Sequence, residues 1–155
     1  MELNLLDIIF VGLVAGFALL GATRSALREL LSLLGLVAGF AVGGRYYTPL
    51  ADELARFIPD WQLAALVAFL GIVVAGYAIG VFLGSLGESM PGRTISPVSR
   101  LLGAVVGAVK GGVACLVLYW TIEAFIPAFQ DELADSRIGE DVARVLAYLA
   151  DFNLI

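Results

Sequence analysis

Histidine is absent from this 155-residue sequence, and Cys115 is its single cysteine. A His/Cys metal site, a Cys/His nucleophile pair and an internal disulfide are therefore excluded by arithmetic. Charge is scarce as well. Charged residues make up 15% of the chain against 61% hydrophobic, and mean hydropathy is +0.97, whereas soluble domains are about one quarter charged. Water is the wrong solvent for such a chain. Only nine Lys and Arg stand under a net charge of −5, which leaves no basic stripe for nucleic acid, so no partner of that class is expected. No catalytic set, metal ligand or cofactor is expected either. The first apolar segment has no basic residue before it, and its positive charges follow at Arg24 and Arg28. A secretory leader shows the reverse order, so this segment is expected to remain in the mature protein.

What the sequence does contain is apolar stretches near the length of about 20 helical residues that a bilayer core requires. Four are found, at about 4–23, 26–44, 61–87 and 99–122. The third is uncharged and the fourth carries only Lys110, so neither has the polar face of a soluble bundle helix. Period-two alternation, which would mark barrel strands, is missing. The expected fold is all-α: a polytopic membrane domain at 1–127 with four transmembrane helices, followed by a C-terminal helix at 128–155. Thr48 and Pro49 read as the N-cap and first turn of a short interfacial helix between spans two and three. Leu50, Leu54, Phe57 and Ile58 share its face, and it stops before Pro59. The stretch 90–97 is turn-rich, with Ser96 or Ser99 placed to cap the fourth span. Beyond Pro127, acidic Asp131, Glu132, Asp135, Glu140, Asp141 and Asp151 are interspersed with Val142, Val145, Leu146, Leu149 and Phe152 at helical spacing. Two roles stay open for this acidic amphipathic helix. It lies on the membrane or caps its own bundle, or it docks an envelope protein partner.

Glycines recur at four-residue spacing within the spans. The sets are Gly12 and Gly16; Gly35, Gly39 and Gly43; Gly76, Gly80 and Gly84; and Gly103, Gly107 and Gly111. Residues four apart share one helix face. Lipid supplies no hydrophobic drive between helices, so close backbone approach at small residues must help to associate them. The stripes are expected to be helix contacts, within one chain or between the copies of a homo-oligomer.

The stretch 21–35 holds Arg24 and Arg28 four apart, then Glu29 and a Leu/Ser/Gly run, and the stretch 96–111 carries Arg100, Gly103, Gly107, Lys110 and Gly111 in order. The first resembles the first loop, and the second the entry into the last span, of the bacterial colicin V production protein family. Together with the four-span layout, the resemblance covers about 1–125. One departure is Ser25 and Ala26, where relatives carry Gly and an aromatic residue after the first loop arginine. The resemblance implies a non-enzymatic protein of the bacterial inner membrane that supports production or export of a peptide toxin, colicin V-like. Related four-span domains also anchor serine proteases, but this sequence has no histidine for a triad.

Asp7, in the first turn of its span, suits the positive end of the helix dipole. Glu123, Asp60 and Trp61 fall at expected headgroup depth. Lys110 stands apart, because a charge at the centre of a span costs around 3 kcal/mol on insertion scales. Snorkelling toward the helix N-terminus would bring its ammonium to the loop-three interface, to Glu29 or to Glu88. The alternative function is a small oligomeric channel or transporter whose glycine-striped helices surround Lys110. Orientation follows from position, because Arg24 and Arg28 directly follow the first span and no Lys or Arg precedes it. Both termini are expected in the periplasm.

Overall fold

Backbone amides in hydrocarbon have no water to bond, so apolar runs of bilayer length pair within themselves as helices. The computed structural model describes residues 5–88, 96–129 and 136–151. It contains α1 (Leu5–Ala22), α2 (Ala26–Leu54), α3 (Trp61–Glu88) and α4 (Pro97–Phe125), then a 3-10 turn at Pro127–Phe129 and α5 (Arg137–Asp151). The first four are long and apolar enough to cross a membrane. Arg93, Asp131, Glu132, Asp135, Phe152 and most of the 90–97 turn lie outside the described residues.

Helix starts follow their capping residues. Ser25 caps α2 by accepting from the Arg28 amide at 3.4 Å, and Ser96 caps α4 by accepting from the Ser99 amide at 3.2 Å with Pro97 directly behind it. Asp60 Oδ1 accepts from the Gln62 and Leu63 amides at 2.9 and 3.3 Å and so opens α3.

The separate interfacial helix expected after Thr48 is not found, because α2 runs through Pro49 without a break to Leu54. A helix of 29 residues extends about 43 Å against a hydrocarbon core of about 30 Å. Its last turns therefore lie beyond the hydrocarbon, where water can satisfy the carbonyl that a proline leaves without a donor. Tertiary contacts hold these turns in line. Ala51 is fully buried, Tyr47 and Leu54 pack on the same core, and Trp61 Nε1 donates to Asp52 Oδ1 at 3.2 Å.

The spans pack in the order α1, α4, α2, α3, so α1 and α2, consecutive in sequence, barely meet. Within the apolar 18-residue window of each span, 22% of the residues are buried in the edge helices α1 and α3 against 33% in α2 and α4. Aromatic rings join the inner side at one end: Phe40 and Tyr47 of α2, Phe69 of α3, and Trp120 and Phe125 of α4, with centroids 4.5–6.1 Å apart.

Glycines set the two tightest contacts. Between α2 and α3, a Cβ on Gly76 would lie 2.7 Å from both Gly35 O and Gly39 Cα, and one on Gly84 would lie 2.8 Å from Arg28 Cα. Gly80 meets the backbone around Gly35, and Gly43 meets the Phe69 ring. Between α4 and α1, Gly103 faces Gly21 and Arg24, Gly107 faces Phe17 and Ala18, and Gly111 faces Val14. Gly12 and Gly16 make no contact within the chain, since a Cβ at either meets nothing within 4 Å. The face of α1 turned to α4 carries Val14, Phe17, Ala18 and Gly21, which puts Gly12 and Gly16 on the opposite side. There they form an outward groove with Ile9, Leu13 and Leu20.

Candidate functional site

Lys110 immediately precedes Gly111. With Gly103, Gly107 and Gly111 turned to α1, the side chain one position back is rotated about 100° round the helix and points at α2. There Lys110 Nζ donates to Glu29 Oε2 and lies 3.1 Å from Ser32 Oγ. Ser32 Oγ in turn donates to the Glu29 carbonyl at 2.9 Å. Arg24 Nη1, in the first loop, lies 3.4 Å from Glu29 Oε1. The ammonium also stands 5.1 Å from the centroid of the Phe17 ring and 5.6 Å from that of Tyr77. All four spans thus supply a side chain around one cation: Phe17 from α1, Glu29 and Ser32 from α2, Tyr77 from α3 and Lys110 from α4.

Burial is complete, with Lys110 and Glu29 at 0% exposure and Ser32 at 1%. Two charges withdrawn from water cost several kcal/mol each, which their attraction offsets only where the geometry is good and spare hydrogen-bonding capacity is used. Both conditions are met here. Glu29 takes Lys110 on one oxygen and Arg24 on the other, Ser32 accepts a second ammonium proton, and the ring faces attract the cation electrostatically. The position of Glu29 in the first turn of α2 adds the positive end of the helix dipole. Of the other charges singled out in the sequence, Arg28 packs its backbone on Gly84 and Arg100 stays exposed in the first turn of α4. Glu123 is exposed near the end of α4.

A second buried polar group sits at the opposite end of α1. Asp7, 3% exposed, accepts from Ser136 Oγ at 2.7 Å and from the Ile138 amide at 3.2 Å, while Ser136 Oγ also accepts from the Gly139 amide at 2.9 Å. The carboxylate therefore caps α5, an element 129 residues away, in addition to standing in the first turn of its own helix. Ser136 was legible as an N-cap type just before an apolar-periodic run, but nothing local tied it to Asp7. Ser32 was legible only within the Leu/Ser/Gly run of the first-loop resemblance, and Phe17 and Tyr77 carried no signal of their own. Cys115 is 3% exposed, with Sγ 3.6 Å from the Phe10 carbonyl. Among the described residues, no group of Cys, Asp and Glu side chains is placed to hold a metal ion.

Residues 6–147 match the family described as colicin V production protein. A relative named colicin V production protein, from Escherichia coli strain K12, is 26% identical over 134 residues, covering 82% of this chain and 78% of its own length. No solved structure matches the chain.

Proposed function

This chain belongs to the colicin V production protein family, and we propose that it acts as a non-enzymatic inner-membrane protein supporting production or export of a colicin V-like peptide toxin. The observation that carries this reading over a channel is the sealed state of Lys110. Its ammonium is occupied by Glu29 and Ser32 at zero exposure, whereas a lysine that sets the potential of a pore must face the permeating ion. A central cation paired across the helices ties the four spans together. The charged face of α5, where Glu140, Asp141 and Arg144 are exposed, is the surface on which other envelope proteins would assemble.

In a toxin-producing strain lacking this protein, active toxin in the medium is expected to fall and to recover with the wild-type chain. Purified protein in liposomes is expected to pass no more ions than empty vesicles. A conductance whose selectivity changes in Lys110→Glu, with the fold intact, would replace this reading with the channel.

A further inference from the structure

Beneath α5 a groove of about 620 Å³ lies between α1 and α4, within the range of ligand sites. Its walls include Ala15 and Ala18 of α1, Gly112 and Leu116 of α4, and Val142 and Val145 of α5. Along α1 it runs from Phe10 to Ala18, about 12 Å at 1.5 Å per residue. Its one ionisable lining group other than the Cys115 thiol is Asp141, whose Oδ1 lies 3.0 Å from Arg144 Nη1, with Glu140 Oε2 at 3.9 Å from Nη2.

We infer that this groove is a specific site for one acyl chain of a zwitterionic, amine-bearing phospholipid. Water does not fill it, because a buried water needs two to four polar partners and the walls are apolar. Two of the walls are membrane spans, so the open side faces hydrocarbon, and the filling that is continuous with that medium is a lipid tail. Unlike the outward faces of the spans, the groove is roofed by a helix whose outer side is charged. The tail is therefore held below α5 with its headgroup beside Glu140, Asp141 and Arg144. Two carboxylates around one guanidinium complement a headgroup with both an ammonium and a phosphate, and disfavour one with net negative charge. This site does not rest on the toxin-production reading, although the two share the charged side of α5.

Gly112 supplies the test. A Cβ there meets nothing within 4 Å, in contrast to Gly111 beside it, where one would lie 2.6 Å from Val14 Cα. Gly112→Leu therefore fills the groove without pressing on α1, and Ala15→Phe, on an exposed position of α1, fills it from the other wall. The wild-type protein is reconstituted with phosphatidylethanolamine or phosphatidylglycerol carrying a photoreactive acyl chain, and the labelled residues are mapped. Phosphatidylethanolamine is expected to label groove residues more than phosphatidylglycerol does, and both filling variants are expected to lose that labelling while retaining label at Val74, Ile79 and Phe82, three of the exposed positions of α3. Should one variant fail to fold, the other decides. Groove labelling that is equal for the two lipids, or unchanged in a folded filling variant, would overturn the site, as would recovery of a peptide in place of lipid from the native membrane.

Discussion

Glu29 and Lys110 stand 81 positions apart and meet with no exposed surface between them. A lysine that only snorkelled to the interface could be replaced by leucine at no cost, and the pairing reverses that expectation. Lys110→Leu leaves a buried carboxylate with Arg24 as its remaining cation at 3.4 Å. Removing one partner of a buried pair costs about 3–5 kcal/mol, whereas replacing both by apolar groups is often neutral. Lys110→Leu is therefore expected to be destabilised by about 3 kcal/mol in denaturant titrations in detergent, and Lys110→Leu with Glu29→Leu to recover most of the loss. Additive losses in the double variant would mean that the two side chains do not act as a pair. The basic residue was legible as an anomaly inside an apolar span, and Glu29 as one of two acids within its reach. The choice of Glu29 required the α2 and α4 backbones to be placed.

At the scale of elements, the same sequence motif has two outcomes. Gly107 and Gly12 both belong to small-residue stripes, yet a Cβ on Gly107 would lie 3.0 Å from Phe17 C and 3.2 Å from Ala18 Cα, while one on Gly12 meets nothing. Spacing identifies a stripe but not the direction in which it points. Thermal unfolding in detergent is expected to show Gly107→Leu melting well below wild type and Gly12→Leu close to it. Equal melting of the two would mean that the α1–α4 contact does not depend on backbone approach. Pro49 teaches the same lesson for helix ends. Thr48-Pro49 is a sound local start signal, and contacts of Tyr47, Ala51 and Leu54 with the core carry the helix through it.

The whole molecule is an open row of spans, with α1 and α3 at its edges. The loop between α1 and α2 lies at one end of the row with the start of α4, where the Ala26 amide donates to Ser99 Oγ at 3.3 Å. At the other end lie α5, the end of α2 and the buried Asp7. This layout provides a test of orientation, with exposed Glu53 and Glu140 as reporters for one side and Thr23 for the other. In a Cys115→Ser background, Glu53→Cys and Glu140→Cys are expected to react with an impermeant thiol reagent in intact spheroplasts, and Thr23→Cys only after lysis. The opposite pattern would invert the protein in its membrane.

The sequence by itself determined that this chain crosses a membrane four times as helices, because apolar runs of that length leave the backbone no other partner in hydrocarbon. It narrowed the cap of α4 to Ser96 or Ser99, and Ser96 takes that role through an amide only three residues on. Tertiary structure alone decided which acid meets Lys110, which glycines touch a neighbour, and that Asp7 fastens α5. Each of these depends on the rotation and order of helices distant in the chain. In lipid that order is set by close packing of surfaces, a property that no single apolar segment contains.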